Sequence, residues 1–352
     1  MISSTQELDH YLNNSDRIEK NKVCAIDTEA DSLHRYKESL CLIQFTAGKD
    51  CVLIDPLAID DLSPLDNYLV DATVWMHGAD YDMTMLKREF GRLPETVYDT
   101  QIGARLLGVK KFGLGNLVEH YFDVTLSKTS QKADWGKRPL SEKMISYALN
   151  DVHYLLEMGE KIVSQLKENG RYEWFTESCQ AAQQKVAERD DSKDEQWRIS
   201  GSGKLTPYGL TCLRALWHWR DKEAESWDRP SFMVSTNKHL IEWALRLADK
   251  KTIDLPPHFR AERVKRFNDM LAEIDQVPKE EWPLRPVTKR RKRDKDFDQT
   301  VDKYLALRKE VAADLDIDPS LIASRSVIET IAAKEAEPAD VLMSWQQKLL
   351  GL

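Results

Sequence analysis

The fold is decided by the stretch Val23-Cys24-Ala25-Ile26-Asp27-Thr28-Glu29, in which a run of β-forming residues leads directly into two acids. In a β-strand, residues two apart point to the same face, so Asp27 and Glu29 project side by side from the end of a buried strand. Two carboxylates 4 Å apart repel by about 4 kcal/mol at an effective dielectric constant near 20. A fold tolerates such a pair when a cation lies between the acids or when one acid keeps its proton. The pair by itself is also compatible with an acidic loop after a strand. The rest of the chain is therefore needed to distinguish such a loop from a cation site.

Length and composition bound the class of protein. The chain has 352 residues, enough for two or three domains, with 41% hydrophobic and 31% charged residues. The N-terminus lacks the basic and apolar pattern of a signal peptide, and no run of about 18 apolar residues predicts a membrane span. The net charge of -8 argues against a protein that coats nucleic acid by bulk charge, although local basic patches remain compatible with it.

The cysteines predict a reducing compartment. They are odd in number, scattered and without a C-x-x-C pair: Cys24, Cys41, Cys51, Cys179 and Cys212. This pattern is typical of reduced thiols in a cytosolic protein, and it indicates no zinc site. We therefore expect a cytoplasmic protein without a membrane partner.

The first half of the chain alternates between strand and helix patterns. Apolar, β-branched runs predict strands at 23–27, 39–46, 51–55 and 72–77, the first three forming a meander, and the chain restarts at 97–100. Apolar residues at helical spacing predict helices at 6–12, 62–70 and 101–107, another starting at 113, and one at 141–151 with Ser141 as its N-cap. The pattern predicts a mixed α/β domain.

Two later segments add acids to the pair on the first strand. Asp80 and Asp82 follow the fourth predicted strand at a strand-to-helix turn. Tyr147 and Asp151 are four residues apart in a predicted helix, and four steps of about 100° bring them back to within about 40° on one face. Hard cations that serve phosphates prefer carboxylate oxygens. Two such ions about 4 Å apart can activate water and stabilise the leaving oxygen of a phosphodiester.

These motifs, taken in order, resemble a known family. The order Asp-x-Glu, His-Gly-x-x-x-Asp and Tyr-x-x-x-Asp resembles the tyrosine subclass of the DEDD exonuclease superfamily. The stretches Trp135-Gly136-Lys137-Arg138-Pro139-Leu140 and Tyr147-Ala148-Leu149-Asn150-Asp151 narrow the resemblance to the ribonuclease D family. The match runs through most of residues 1 to about 170.

The resemblance implies a fold and a reaction. The expected architecture is an α/β ribonuclease-H-like exonuclease domain, with a mixed sheet flanked by helices, followed by two all-α HRDC-like domains. The implied reaction is two-metal-ion hydrolysis of RNA from its 3′ end, which releases nucleoside 5′-monophosphates. The implied cofactors are two divalent cations, Mg²⁺ or Mn²⁺, and the implied partner is RNA with a free 3′ end, with tRNA precursors as the expected substrate. The oligomeric state stays undetermined.

The family's functional residues carry over by position. Its metal-binding and catalytic acids fall on Asp27, Glu29, Asp82 and Asp151, and Tyr147 would hold and orient the attacking water. The family's acid lies five residues after the histidine, which favours Asp82 over Asp80, with Asp80 as the alternative. His77 is expected to shape the turn or support the site rather than to bind metal.

A basic segment precedes the last of these motifs. Residues 128–140 carry one tryptophan and lack any periodicity. The segment is compatible with a solvated loop or with contact to the substrate. The candidate nucleic-acid-binding residues are Lys128, Gln131, Lys132, Lys137 and Arg138.

The second half predicts helical modules. Leu216-Trp217-His218-Trp219-Arg220 together with Arg229-Pro230 resembles an HRDC domain, with both tryptophans expected in its core. The run Pro286–Arg293 is basic, compatible with a solvated linker or with phosphate contact. A second, diverged HRDC-like unit is expected around Ile317–Ser324 and Trp345. The expected boundaries are 1–170 for the exonuclease domain, 171–203 for a helical linker, 204–284 for the first HRDC domain, 285–296 for the basic linker and 297–352 for the second.

Two alternatives remain open. The same carboxylate set serves DNA 3′-5′ exonucleases, and only contact with the 2′-OH would separate the two substrates. A catalytically silent RNA-binding adaptor on the same fold is the second alternative. The presence of every expected acid and of Tyr147 argues against it.

Overall fold

The computed structural model describes residues 1–14, 22–48, 50–127, 129–189, 195–285 and 295–352. Contacts divide this part of the chain into two compact units. The first comprises the described residues of Met1–Ala30, Leu40–Arg189 and Arg290–Leu352, and the second those of Asp31–Ser39 and Asp190–Lys289. Within the described ranges, no helix is both long enough and apolar enough to cross a membrane.

A five-stranded mixed sheet forms the centre of the first unit. Its strands are β1 Val23–Ala30, β2 Leu40–Ala47, β3 Asp50–Ile54, β4 Thr73–Met76 and β5 Thr96–Asp99. The spatial order is β3-β2-β1-β4-β5. The predicted meander is present, since β1 with β2 and β2 with β3 pair antiparallel, while β4 pairs parallel with both β1 and β5. The predicted mixed α/β fold is confirmed.

Strand β1 contributes residues to two apolar clusters, one on each face of the sheet. Cys24 and Ile26 join one cluster, whereas Ala25 joins the other. Because every second residue of a strand faces the same side, Asp27 and Glu29 continue the face of Ala25. The strand runs to Ala30, three residues further than predicted, because pairing with β2 continues beyond the acids. The two acids therefore lie within a paired strand rather than at its end.

Among the described residues, the helices of the first unit that precede its C-terminal part are α1 Thr5–Asn14, α2 Ser63–Leu69, α3 Asp80–Phe90, α4 Thr100–Leu106, α5 Leu114–Phe122, α6 Glu142–His153, α7 Leu155–Glu168 and α8 Tyr172–Ala187. Helix α6 begins where predicted, with the Ser141 hydroxyl accepting a hydrogen bond from the Met144 N–H. Helix α8 packs on the sheet, since the ring of Phe175 stacks on that of Trp75 with 5.9 Å between centroids. The sequence boundary at residue 170 stays a prediction.

The second unit is a small helical core. Its helices are α9 Pro207–Trp227, α10 Ser231–Val234, α11 Asn237–Ala248 and α12 Ala261–Ile274, with 3₁₀ turns at Ser202–Lys204 and Lys279–Glu281. Trp217 and Trp219 are buried in this core, as predicted. The segment Asp31–Ser39, which leaves the sheet between β1 and β2, also belongs here. It is held by Tyr36, whose hydroxyl donates to Oδ2 of Asp221 at 2.9 Å.

The C-terminal helices return to the first unit. They are α13 Phe297–Asp314, α14 Pro319–Ile322, α15 Arg325–Ala332, α16 Pro338–Val341 and α17 Ser344–Leu350. Their apolar residues share one cluster with α4, α7 and α8. Trp345 stacks on Trp174 with 5.0 Å between ring centroids, and the Ser344 N–H donates to Glu177. The predicted basic run Pro286–Arg293 lies outside the described residues.

Candidate active site

The side chains predicted for catalysis meet in one cleft of about 450 Å³. Strand β1 contributes Asp27 and Glu29, the first turn of α3 contributes Asp82, and α6 contributes Tyr147 and Asp151. The other lining residues are Thr28, His77, Tyr81, Gly113, Leu114, Gly115, Asn116, Leu126, Ser127 and Gln131. Three separate elements thus bring together residues that are distant in the sequence.

Three of the carboxylates lie close enough together to bind the same cation. Asp27, Glu29 and Asp151 each offer an oxygen, and these oxygens all lie within 4.8 Å of one another. Asp82 is only 5% exposed, and its Oδ1 accepts hydrogen bonds from the Thr28 N–H at 2.9 Å and the Thr28 hydroxyl at 2.6 Å. Asp82 is therefore fixed against the residue that lies between the two acids of β1.

The alternative acid, Asp80, lies elsewhere. Its side chain is 63% exposed and its Oδ1 accepts a hydrogen bond from Nη2 of Arg189 at 2.6 Å. Asp80 is absent from the cleft lining, whereas Asp82 is part of it. This placement favours Asp82 as the acid of the site, and leaves Asp80 as an exposed neighbour on the same helical turn.

Burial and mutual repulsion raise the pKa values of the clustered acids. Burial, followed by the charges of Asp82, Asp151 and Glu29, raises the pKa of Asp27 well above its ordinary value. Burial first, and then the neighbouring acids, raises the pKa of Glu29 to about 9. Burial is also the main reason that the pKa values of Asp82 and Asp151 rise to about 7. Without a cation, this cluster does not ionise fully at neutral pH.

The residues present fit a divalent-cation site. Carboxylate oxygens are the ligands that Mg²⁺ and Mn²⁺ prefer, and a cation removes the repulsion among the acids. A further polar group lies on the same face, because Gln44 of β2 pairs with Asp27 across the ladder. Gln44 is fully buried, and among the described residues neither atom of its amide has a hydrogen-bond partner. Such an unpartnered buried amide is expected beside a hydrated ion.

Tyr147 keeps its proton at neutral pH. Burial, followed by the negative charges of Asp151, Glu29 and Asp27, raises the pKa of the Tyr147 phenol well above its ordinary value. A protonated phenol can donate and accept a hydrogen bond, but it cannot remove a proton from water. Tyr147 is therefore suited to hold a water molecule rather than to deprotonate it.

One residue that sequence reasoning missed, Asp99, fixes the turn between β4 and α3. Its carboxylate accepts hydrogen bonds from the N–H groups of Gly78 at 2.9 Å, Ala79 at 3.0 Å and Gln101 at 2.7 Å. The available sequence signal was an Asp two residues before the predicted helix 101–107, and the observed helix starts one residue earlier, which makes Asp99 its N-cap. Gly78 adopts φ +69°, a conformation that side chains rarely allow. Together these residues position His77 and the start of α3.

Gly78→Ala is expected to lower both stability and activity, and Gly91→Ala stability alone. Both glycines have a positive φ, so each alanine costs about 1–2 kcal/mol of backbone strain. A Cβ at Gly78 would lie 3.3 Å from Nε2 of Gln101, whereas a Cβ at Gly91 meets nothing within 4 Å. Thermal unfolding and RNA hydrolysis of the two variants, measured side by side, check this. Equal activities would show that the turn does not position the site.

The basic segment is anchored through Arg138. Its Nε and Nη2 donate to the two Asp55 oxygens at 2.6 Å each, and its remaining N–H groups donate to the carbonyls of Trp135, Lys137 and Cys41. All five N–H groups of the guanidinium are thus used within the protein. The nucleic-acid role predicted for Arg138 stays a prediction, and this arrangement favours anchoring of the segment instead.

The other predicted substrate contacts are spread over the segment. Gln131 lines the cleft itself. Lys132 and Lys137 are exposed, and Lys128 lies outside the described residues. A role in binding RNA remains a prediction for each of them, with Gln131 the one placed beside the acids.

Arg138→Ala is expected to destabilise the protein by about 3 kcal/mol, because Asp55 is only 3% exposed and would become an unpaired buried charge. RNA hydrolysis should weaken as well, since the segment that carries Gln131 loses its anchor. The matched control is Arg92→Ala, which removes an equally bidentate pair with Asp66 whose arginine is 47% exposed. That variant should lose no more than about 1 kcal/mol. Urea unfolding of both variants measures the two losses in the free energy of unfolding. Equal losses would contradict the anchoring role of Arg138.

Comparisons with known proteins match parts of this chain to two families. The 3′-5′ exonuclease family matches residues 1–167, and the HRDC domain family matches residues 209–251. Ribonuclease D of Sphingobium indicum is 30% identical over 347 residues, covering 95% of this chain and 89% of that protein. Ribonuclease D of Escherichia coli is 34% identical over 220 residues, covering 61% of this chain and 58% of that protein.

Solved structures show the same architecture. The crystal structure of Escherichia coli RNase D, titled an exoribonuclease involved in structured RNA processing, matches with a TM-score of 0.75 and 25% identity, covering 100% of this chain and 96% of that one. A protein from Bifidobacterium adolescentis matches with a TM-score of 0.81 and 23% identity, covering 99% and 94%. The latter likeness concerns the fold alone.

The mixed sheet, the acidic cleft and the matched domain define a 3′-5′ exonuclease of a class that depends on divalent metal ions. The similarity to the Sphingobium enzyme extends over nearly the whole length of both chains. The chain belongs to the ribonuclease D family, and it is a 3′-5′ exoribonuclease. The resemblance found in the sequence is confirmed, as is an HRDC domain in the second half. The HRDC-like identity of the C-terminal helices stays a prediction.

Proposed function

We propose that this exoribonuclease hydrolyses RNA with two divalent cations held by Asp27, Glu29, Asp82 and Asp151, releasing nucleoside 5′-monophosphates one at a time from the 3′ end. The observation that carries the proposal is the convergence of the oxygens of Asp27, Glu29 and Asp151 within 4.8 Å. A divalent cation bound among these oxygens would remove the repulsion between ionised carboxylates at neutral pH.

The carboxylates of Asp27, Glu29, Asp82 and Asp151 would hold the cations in the cleft. When bound, the cations supply an activated water and neutralise negative charge on the departing 3′ oxygen. Both Mg²⁺ and Mn²⁺ suit an all-oxygen ligand set, so either is expected to support the reaction. Asp27 lies close enough to the other three acids for all of them to raise its pKa, so it would hold a cation together with them.

Tyr147 orients the attacking water. It lies four residues before Asp151 on α6, and both side chains line the cleft. Since its phenol is protonated, it donates a hydrogen bond to, or accepts one from, the water without taking its proton. Tyr147→Phe is therefore expected to lower kcat by about 10- to 100-fold with little change in metal binding.

The proposed substrate is RNA with a free, single-stranded 3′ end, with tRNA precursors as the family's implied class. The Escherichia coli relative is described as acting in structured RNA processing. The exposed lysines Lys132 and Lys137 offer phosphate contacts outside the cleft, where Gln131 lies. An HRDC domain in the second unit adds a candidate surface for the folded part of such an RNA.

Degradation of a 5′-labelled RNA with a structured body and a single-stranded 3′ tail tests the proposal. With Mg²⁺ or Mn²⁺, we expect stepwise shortening from the 3′ end and release of 5′-monophosphates, both abolished by EDTA. A tRNA precursor with a 3′ trailer tests the finer assignment, and single-stranded DNA of matched sequence ranks the two nucleic acids. RNA binding without hydrolysis in either metal, from folded protein, would refute the proposal and leave a silent adaptor.

A further inference from the structure

His77 lies at the edge of the cleft on the same side as the acids. It directly follows the last residue of β4, it is half-buried, and it lines the cleft. Strand β4 runs parallel to β1, with Trp75 paired to Ala25. Two residues further along each chain bring His77 and Asp27 to the same edge of the sheet. His77 therefore faces the place where the end of an RNA chain must lie.

The hydrogen bonds around His77 determine which ring nitrogen carries the proton. The hydroxyl of Thr100, a fully buried residue, donates its only proton to the carbonyl of Met76 at 3.2 Å. Nδ1 of His77 lies 2.9 Å from the same hydroxyl oxygen. With the Thr100 proton assigned to the Met76 carbonyl, which can only accept, Nδ1 acts as the donor toward the Thr100 oxygen. In a neutral ring, the lone pair then lies on Nε2.

The ring is neutral at physiological pH. Burial lowers the pKa of His77, and the charge of Asp99 opposes this shift only partly. Asp99 already accepts hydrogen bonds from three backbone N–H groups, so it is committed to the turn. In the part of the chain that the structure describes, Nε2 makes no hydrogen bond. His77 thus presents a free acceptor in the cleft.

A hydrogen-bond acceptor can bind only those groups of an RNA chain that carry a donor proton. Phosphate oxygens carry no proton at neutral pH, so Nε2 does not bind them. The donors on base edges differ from one nucleotide to the next, whereas an exonuclease must accept each nucleotide in turn. The sugar hydroxyls are the donors that every terminal ribonucleotide shares. The chemistry of the site therefore matches a ribose hydroxyl.

We propose that Nε2 of His77 accepts a hydrogen bond from a hydroxyl of the 3′-terminal ribose, and that His77 is a specificity residue of the cleft. This inference rests on the proposed function, because it requires the RNA 3′ end to enter between the acids. Thr100 is the positioning residue that holds the ring in its acceptor form.

Oligoribonucleotides that differ only in their last sugar test the proposal. The termini are ribose, 2′-deoxyribose, 3′-deoxyribose and 2′,3′-dideoxyribose, and kcat/KM for removal of the last nucleotide is measured with Mg²⁺. The native enzyme should prefer the hydroxylated terminus by about tenfold over the one that lacks the bound hydroxyl. The 2′-deoxy and 3′-deoxy arms identify which hydroxyl that is. In His77→Phe, this preference should fall to about one.

Three further variants separate hydrogen bonding from packing. His77→Gln, which keeps an acceptor, should retain part of the preference. Thr100→Val keeps the ring but removes its partner, so it should lose part of the same preference, whereas Thr100→Ser should keep it. A uniform loss across all four termini in His77→Phe and Thr100→Val would overturn the inference, as would a native enzyme without preference. A native enzyme that removes no nucleotide from any terminus would instead refute the proposed function itself.

Discussion

Asp27→Asn is expected to lower the rate of RNA hydrolysis by at least about a thousandfold, which corresponds to about 4 kcal/mol of transition-state stabilisation. Asp27 is the acid whose pKa all three other carboxylates raise, so it lies at the centre of the cluster. An amide of the same shape keeps the packing but loses the negative charge that holds a cation. The predicted defect is therefore in chemistry and metal binding rather than in folding.

The same substitution should stabilise the metal-free protein. Burial and the three neighbouring carboxylates disfavour the ionised form of Asp27, and an uncharged amide at this position avoids that cost. For a chain of 352 residues, each kcal/mol gained is expected to raise the Tm by about 1–2 °C. Activity and stability thus move in opposite directions, which is the expected signature of a site that is strained until a cation binds.

Asp80→Asn is the matched control. Asp80 lies two residues before Asp82 in the first turn of α3. Its side chain is exposed and pairs with Arg189. This variant should keep its hydrolysis rate within about threefold, because a surface ion pair contributes little. Rate measurements and thermal unfolding in EDTA, made on both variants, provide the comparison. If Asp80→Asn is the inactive variant, the assignment of Asp82 to the site is wrong.

Removal of divalent cations is expected to abolish hydrolysis and to make stability depend on pH. Asp82 and Asp151 have pKa values of about 7 in the folded, metal-free protein, well above the ordinary value of 3.8. Between these two values the folded state binds more protons than the unfolded state. The free energy of unfolding therefore falls as the pH rises from about 4 to about 8. Glu29, with a pKa of about 9, extends the fall further.

Mg²⁺ should reverse this dependence, because a bound cation favours the ionised acids and stabilises the folded state by mass action. The measurement is the Tm from pH 5 to pH 9, in EDTA and in Mg²⁺. We expect the two curves to separate as the pH rises, with little gain from Mg²⁺ at pH 5. A Tm in EDTA that does not change with pH would show that the acids are not coupled as the structure indicates.

That the proposed site residues lie together could be predicted from the sequence, because their motifs are local. A strand places Asp27 and Glu29 on one face, and a helical turn places Tyr147 and Asp151 on another, whatever the rest of the chain does. The choice of Asp82 needed the family spacing, and the structure supplies a physical reason, namely the two hydrogen bonds from Thr28.

The interactions that support the site could not be predicted, because they join distant parts of the chain. Arg138 has the same charge as its neighbours Lys132 and Lys137, and only the fold shows that Asp55 binds it. The tautomer of His77 depends likewise on Thr100, which belongs to another helix. Sequence patterns report which face a residue occupies, but not which partner it meets there.

Local sequence patterns also could not predict which apolar surfaces the helices pack against. Residues 31–39 leave the sheet and join the second unit, although they lie between two strands of the first. The C-terminal helices share their apolar cluster with α7 and α8 of the first unit. Amphipathic spacing predicted each helix, but such spacing does not specify which apolar surface a helix will cover.

The most direct test of the two-cation site is anomalous scattering from crystals soaked in Mn²⁺. We expect two manganese peaks in the cleft, about 4 Å apart, with Asp27 in contact with both. Crystals of Asp27→Asn should lose at least one of them. Manganese bound only outside the cleft, or an empty cleft in crystals whose soaked protein is active, would contradict the assignment of these four acids as the metal ligands.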